Sequence, residues 1–376
     1  MIPAHVTKYP ESMSQDLPKL MRAVLLRGHG GFEQLDYRSD VPVPRPRPGE
    51  VLVRIGAAGV NNTDINTRTG WYSRSVRDGT TAAGAAAGLA AARADDAGWT
   101  GRLPVFPRIQ GADGCGRIVA VGAGVDAARC GERVLIEPVF RAPPGMPRHA
   151  VTYVGSECDG TFAEFCCVPA VHAHRITSAL SDAELASFPC SYSAALNMLT
   201  RLELVAGDRL LITGASGGVG SAAVQLASRR GADVIAIAAA SKHARLRELG
   251  AARVVDRGAD LRAVLGSESV DAVVDVVGGV QFPTLLDLLR RGGRYAVAGA
   301  IAGPCVDLDL RTLYLKDLRL LGCTVLDPGV FERLVVHIER GDIVPLVAAI
   351  HPLSAIVAAQ QEFLAKRHTG KIVLLP

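Results

Sequence analysis

Leu210-Leu211-Ile212-Thr213-Gly214-Ala215-Ser216-Gly217-Gly218-Val219-Gly220 is an apolar run that ends in a glycine-rich turn and opens into a helical pattern over Gly220 to Arg230. The run has the length and composition of a buried strand. Glycines after it let the backbone approach a pyrophosphate, while free amides and the positive dipole at the helix start stabilise its negative charge. A turn of this kind alone is weak evidence. Set between a strand and a helix in a series of βα units, it marks a nucleotide site, with Gly214, Ser216, Gly217, Gly218, Val219 and Gly220 as the expected contacts.

The series continues downstream. A strand at Val234 to Ala238 and a helix at Lys242 to Leu249 precede strands at Val254 to Val255, Ala272 to Val276 and Arg294 to Ala298. This alternation predicts a parallel sheet with crossover helices. Sites that select NAD usually place Asp or Glu at the end of the second strand, against the ribose hydroxyls. Here the strand ends in Ala238-Ala239-Ala240-Ser241-Lys242, with Arg245 one helical turn on and Arg257 after the next strand. A hydroxyl and cations suit a 2′-phosphate, so Ser241, Lys242 and Arg257 point to NADPH. Read more plainly, Arg245 and Arg257 are solvated surface charges.

Upstream, Ala23 to Leu26, Glu50 to Ala57, Cys115 to Val121 and Arg133 to Glu137 read as short strands between Gly and Pro turns, which predicts a β-rich first domain. Residues 77–102 break the pattern. They are dominated by Ala and Gly and read as a loop, with a short helix at Ala90 to Ala94. The tail from Lys316 mixes a strand (Leu318 to Val325), two helices (Gly329 to Arg340 and Leu353 to Ala365) and a last strand (Lys371 to Leu375), a pattern able to fold back and complete the first domain.

Composition excludes several function classes. The chain has 376 residues, about half of them apolar, which suffices for two ordinary domains and argues against a single small binding module. A formal charge of +4, with cations and anions interleaved, does not form a track for a phosphate backbone, so nucleic acid is not an expected partner. Residues 1–20 carry Lys8, Glu11, Asp16 and Lys19 without an apolar core and read as a loose leader. Glycines interrupt the longest charge-poor apolar stretch, Leu210 to Ala227, and no membrane span is expected. The expectation is a soluble cytoplasmic protein. The eight cysteines form no Cys-x-x-Cys pair, and reduced thiols are the default.

Six motifs in order give the chain a family likeness: Pro48-Gly49-Glu50-Val51-Leu52-Val53, Gly59-Val60-Asn61-Asn62-Thr63-Asp64, Gly111-Ala112-Asp113-Gly114-Cys115-Gly116, Gly160-Thr161-Phe162-Ala163-Glu164, the glycine turn, and Gly370-Lys371-Ile372-Val373. From Met21 to Pro376 the sequence resembles the medium-chain dehydrogenase/reductase superfamily, and within it the zinc-independent quinone oxidoreductase branch. The resemblance implies an α/β protein: a GroES-like β-rich catalytic domain (21–186 plus 317–376) and a Rossmann doubly wound parallel-sheet domain (187–316), with the cofactor and substrate in the cleft between them. It also implies a homodimer. Leu318 to Val325 has the composition of a strand able to join two sheets edge to edge.

Zinc-dependent relatives place a ligand Cys where this chain has Asn61, and a His followed by an acid where it has Ala112 and Asp113. Cys190 matches their third ligand position. One thiolate and one carboxylate make half a tetrahedral site, so no metal is expected. Without a Lewis acid, hydride transfer is easiest to acceptors that already delocalise charge, such as quinones, enones and enals. Asn61, Asp64 and Tyr72 are the catalytic candidates, in a segment resembling the one beneath the nicotinamide in quinone oxidoreductases. Two readings of Tyr72, cleft donor and packed aromatic, stay open, and Asp64 with Arg68 also reads as a structural pair at helical spacing. Further cofactor contacts implied by the resemblance are Ser193, Val277, Gly299, Ala300, Ile301 and Lys366. Residues 77–102 are placed to cover the cleft, or form an inert surface loop. Two rival functions stay open: an NADPH-binding sensor or structural protein without turnover, and a non-redox isomerase or cyclase.

Overall fold

In a computed structural model that describes residues 17–101, 105–141, 145–147 and 149–376, the strand Arg209–Ile212 lies at the centre of a six-stranded sheet. Leu210, Leu211 and Ile212 are buried, as expected of a strand covered on both faces. All neighbours are parallel, in the order Arg253–Asp256, Asp233–Ala238, Arg209–Ile212, Val270–Asp275, Leu289–Val297, Arg319–Gly322. The order reverses beside the first strand, and the crevice at the carboxyl ends of Arg209–Ile212 and its neighbours is where such sheets bind nucleotides.

Helix Gly218–Arg229 packs on this sheet through Ala222, Ala223 and Leu226. Gly220 sets its approach, because a Cβ there would stand 2.3 Å from the carbonyl oxygen of Gly214. The last strand, Arg319–Gly322, lies beyond residue 316, where the sequence reading ended this domain. Its parallel register with Leu289–Val297, with Tyr295 opposite Leu320, extends the sheet further along the chain.

A second sheet runs in the order Ala173–Arg175, Arg133–Ile136, Cys115–Val121, Glu50–Gly59, Lys371–Leu375, Val347–Pro352, with Phe165–Pro169 also paired to Glu50–Gly59. The C-terminal strand lies antiparallel to Glu50–Gly59, with Val373 opposite Gly59. That pairing returns residue 371 to the neighbourhood of residue 61. The strand Val347–Pro352 was not expected from the sequence, where its alternating half-exposed pattern falls between two helices.

The Ala/Gly-rich segment differs from its expectation. Its helix is Ala82–Ala87, not Ala90 to Ala94, and it is capped by Thr81, whose hydroxyl accepts the Gly84 N–H at 3.0 Å. A single-turn 3-10 helix covers Ala94–Asp96; residue 102 lies outside the described residues.

Arg68, at the end of helix Asn62–Thr69, holds this segment in place. It is fully buried and donates to the carbonyls of Gly30 (2.9 Å) and Ala85 (2.8 Å) and to Gln360 Oε1 (3.0 Å), with its guanidinium 4.5 Å from the centre of the Phe32 ring. Burial lowers its pKa to about 10. The expected Asp64–Arg68 pair does not form: Asp64 turns to the helix start and accepts the Asn61 backbone N–H at 2.7 Å.

Replacing Arg68 with Met strands the acceptors it serves. The expected cost is about 2–4 kcal/mol of stability, read as a lower urea midpoint; Trp71 and Trp99, the two tryptophans of the chain, provide the signal.

Candidate active site

Between the two sheets lies a cavity of about 490 Å³. Of the residues expected at the cofactor, Gly214, Ser216, Gly217, Gly218, Val219, Gly220, Lys242, Arg257, Val277, Ile301 and Lys366 line it, and so does Asn61. The wall at Val276 to Gly278 is fixed by Asp275, which is fully buried. It accepts from Thr213 Oγ1 (2.5 Å), Tyr295 OH (2.5 Å) and the backbone N–H groups of Val277 (2.8 Å) and Gly278 (3.1 Å).

Other expected contacts lie elsewhere. Ser193 is buried and donates to the Cys190 carbonyl at 3.3 Å, while Ser191 lines the cavity instead. Residues two apart on a helix point about 200° apart, so the choice of serine depends on how helix Pro189–Arg201 is rotated. Ser241 is exposed on the turn Ala240–Lys242 and is not among the lining residues. Gly299 and Ala300 are not among the lining residues and lie against Val276 and Gly278 respectively.

At one end of the cavity, Lys242, Arg257, Lys366 and His368 converge. Lys242 donates to the Arg367 carbonyl. Lys366 caps helix Ile356–Ala365 at φ +52°, and its ammonium lies 3.8 Å from the centre of the Phe363 ring. The residue is otherwise exposed. Burial and the neighbouring Lys366 charge lower His368 to about 4, leaving a neutral imidazole at pH 7. Asp256, the acid in this region, caps backbone: it accepts the N–H groups of Ala240 (3.0 Å) and Gly258 (2.9 Å).

At the other end, Asn61, Asp113, Cys190 and Lys371 meet. Lys371 Nζ lies 2.6 Å from Asp113 Oδ2 and donates to Asn61 Oδ1 at 2.5 Å. Asn61 Nδ2 donates to the same Asp113 oxygen at 2.8 Å, and the Cys190 N–H donates to Asp113 Oδ1 at 2.5 Å. Asp113 is fully buried and Lys371 is 2% exposed.

The family resemblance implies these positions for the metal of zinc-dependent relatives, and the donors present here do not suit a tetrahedral zinc ion. Both carboxylate oxygens are committed and Ala112 offers no atom. An ammonium brings the positive charge, and burial together with the Asp113 charge raises the Cys190 pKa, so it stays a thiol. Beside this knot Asp64 is also buried; burial and Asp113 outweigh Lys371 and the Asn61 N–H and raise its pKa to about 7.

Tyr72 and Asp64 do not line the cavity. The Tyr72 hydroxyl donates to Thr63 Oγ1 at 3.1 Å, and burial raises its pKa. Its ring is 5.7 Å from that of Trp99, nearly parallel to it, and Trp99 in turn stacks on Tyr153 at 4.0 Å. Trp99 thus ties the Ala/Gly-rich segment to Tyr72 and Tyr153. The same segment reaches the other sheet, where the Thr80 N–H donates to the carbonyl of Ile301, a cavity residue, at 2.8 Å.

Sequence reading missed Lys371, Asp113 as its partner, His368 and Trp99. For Lys371 a signal existed: a lone cation opening the otherwise apolar strand Lys371–Leu375.

Profiles of two families match the chain: the alcohol dehydrogenase GroES-like domain over residues 47–178 and the zinc-binding dehydrogenase over residues 218–340. A provisionally assigned alcohol dehydrogenase from Sinorhizobium meliloti 1021 is 46% identical, with a TM-score of 0.86 over 96% of this chain and 98% of that one. This chain belongs to the medium-chain dehydrogenase/reductase superfamily. Another member of solved structure, an NAD-dependent alcohol dehydrogenase, is 30% identical with a TM-score of 0.82, over 95% of this chain and all of that one. Human quinone oxidoreductase is 26% identical over 95% of this chain and 98% of its own length. The superfamily's GroES-like domain and Rossmann-like parallel sheet are therefore the fold of this protein. No helix among the described residues is long and apolar enough to cross a membrane.

One further cluster lies apart from the cavity. Glu137, His172 and His174 bring three metal-capable groups together. Glu137 Oε2 accepts from His172 Nδ1 (2.8 Å) and His174 Nε2 (3.0 Å), while His172 Nε2 accepts the Arg141 backbone N–H at 3.2 Å. That last bond keeps the His172 proton on Nδ1, the atom a metal would need bare. The cluster is a hydrogen-bonded knot, and Phe140 stacks on His172 at 5.0 Å.

Burial alone would raise the Glu137 pKa, but the two imidazole donors and Arg141 hold it at about 2. Because the folded pKa is depressed, the stabilisation is present above the unfolded value and is lost as pH falls through the folded one. Glu137→Gln is expected to lower the thermal midpoint at pH 7. The gap to wild type, roughly 3 kcal/mol for a shift of this size, narrows in melts taken from pH 4.5 toward pH 2.

Proposed function

We propose that this chain is a zinc-independent, NADPH-dependent oxidoreductase that transfers hydride to a quinone, an enone or enal, or a related carbonyl acceptor. The observation that carries the reading is the pairing of the two ends of one cavity. Cations gather where a 2′-phosphate would lie, and a buried Lys371–Asp113 pair takes the place where the zinc-dependent relatives bind metal. The membership of the family and the likeness to a quinone oxidoreductase support the redox reading over a sensor or an isomerase.

The residues present fit the cofactor. Amides of the glycine turn at the start of helix Gly218–Arg229 suit its pyrophosphate, and Lys242, Arg257 and Lys366 suit its 2′-phosphate. When bound, it supplies a hydride. Asn61, held by Asp113 and by Lys371, lines the cleft where the acceptor is oriented, and Thr80 of the Ala/Gly-rich segment donates to the carbonyl of Ile301, another lining residue. Tyr72 and Asp64 act behind the surface as supports of Thr63 and Asn61.

A homodimer is part of the proposal. The edge strand Arg319–Gly322 is unpaired on its outer side among the described residues, and Leu310, Tyr314, Leu315 and Leu320 are exposed beside it. Light scattering on the purified chain is expected to give twice the chain mass, and Tyr314→Glu with Leu315→Glu half of that.

Turnover decides the main reading. NADPH oxidation is followed against benzoquinone and trans-3-decen-2-one, with NADH as control and with and without chelator. The expected result is chelator-insensitive turnover that prefers NADPH, with the preference cut about tenfold or more in Lys242→Ala/Arg257→Ala, as loss of charge-assisted hydrogen bonds implies. NADPH binding without turnover on any acceptor would favour the sensor, and conversion without net NADPH loss the isomerase.

A further inference from the structure

We propose that Lys371 is a catalytic residue whose ammonium holds the acceptor's oxygen while negative charge develops on it. The inference rests on the reductase reading above and assigns the electrophile of that same site.

Lys371 opens a strand whose next three residues, Ile372, Val373 and Leu374, are all fully buried. A cation at such a position is costly. Pairing with Asp113 offsets the cost but does not explain it, since an uncharged pair of similar volume would serve stability as well or better. The pair therefore calls for a use, and its position suggests one. Lys371 lines the cavity beside Asn61 and Gly218, and a Cβ on Gly218 would stand 3.1 Å from its Cδ. Its stem runs from the pyrophosphate turn toward the acceptor end.

An ammonium has three donors. One faces Asp113 Oδ2 at 2.6 Å and one Asn61 Oδ1 at 2.5 Å, leaving the third uncommitted among the described residues. Asp113 itself is anchored at the start of helix Pro189–Arg201 by the Cys190 N–H at 2.5 Å, so the charge is held in a fixed place. A fixed donor in a dry site needs no reorganisation when charge appears, the condition under which such groups act most strongly.

The step balances as follows. The acceptor's electrophilic carbon, the carbonyl carbon or the β-carbon of an enone, gains a C–H bond with the hydride pair. Its π electrons move to oxygen, which accepts the third N–H of Lys371 and then takes that proton. Solvent reprotonates Lys371, and in an enone the enol proton moves to the α-carbon. NADPH, a proton and the acceptor give NADP⁺ and the reduced acceptor.

Two variants test this: Lys371→Met, and Lys371→Met with Asp113→Asn, which leaves no unpaired carboxylate. The full chain is used throughout. The double variant is expected to melt close to wild type and to keep its NADPH dissociation constant within about threefold, measured by nucleotide fluorescence, while kcat on trans-3-decen-2-one falls about 10²–10³-fold, the usual cost of one oxyanion donor. A second readout is independent of turnover. With NADP⁺ present, 4-nitrophenol is expected to bind wild type as its coloured anion and to lose that band in both variants. Retention of kcat within about threefold by the double variant would overturn the proposal. So would a loss of NADPH affinity equal to the loss in kcat/KM, which would make Lys371 a cofactor anchor only. If wild type proves inactive on every acceptor, the reductase reading falls, and the nitrophenol titration still decides: anion binding confined to wild type supports Lys371 as an oxyanion holder, and equal binding refutes it.

Discussion

A buried ammonium cannot be left alone, and the contacts Lys371 makes to satisfy that requirement join segments far apart in the chain. Asn61 comes from the start of helix Asn62–Thr69, just beyond the strand Glu50–Gly59, Asp113 from the turn before Cys115–Val121, and Lys371 from the C-terminal strand. Their meeting depends on the antiparallel pairing of Val373 with Gly59. Tight packing accompanies it: a Cβ on Gly59 would stand 2.6 Å from Asp113 Oδ2 and 2.8 Å from the Ala186 carbonyl, so glycine is the residue that lets the strand approach the knot. Register, glycine and ion pair are one constraint seen from three sides.

From that constraint the cleft acquires its polarity. The C-terminal segment passes the glycine turn, where the Gly370 N–H donates to the Ser216 carbonyl at 3.1 Å, and so carries Lys366 and His368 to one end of the cavity and Lys371 to the other. Only four residues thus lie between a cation suited to a phosphate and one suited to a developing oxyanion. Charge compensation distinguishes the two. Lys371 is neutralised by a buried carboxylate, whereas Lys366 is exposed and has the ring of Phe363 beneath it. A neutralised, immobile ammonium suits transient charge; an uncompensated one suits a permanent anion.

How far the sequence was legible follows from the range of each interaction. The glycine turn was readable because strand, turn and helix are contiguous and each residue's demand is local. Ser191 lines the cavity whereas Ser193 and Ser241 do not, because the sequence shows that a serine is near, but not the rotation of the helix or turn that carries it. The helix in the Ala/Gly-rich segment was misplaced because alanine favours helix at many positions alike. Thr81 as cap, and Arg68 reaching the Ala85 carbonyl, chose Ala82–Ala87 among them. Asp64 and Arg68 have the spacing of an ion pair, yet the capping demand of the helix start took one and carbonyls of three other segments took the other.

The sequence by itself determined the mixed α/β architecture, the glycine turn after Arg209–Ile212 and the absence of an acid at the end of the second strand, since periodicity, glycine placement and residue type act over a few neighbouring positions. It also showed that Asn61 and Ala112 lack metal-binding groups. Only the tertiary structure decided what stands there instead. Lys371 and Asn61 are 310 positions apart, and nothing local to either announces the other. Desolvation and strand pairing, which exist only once the chain has closed on itself, turn a lysine in an apolar strand into a fixed charge at the end of a cleft.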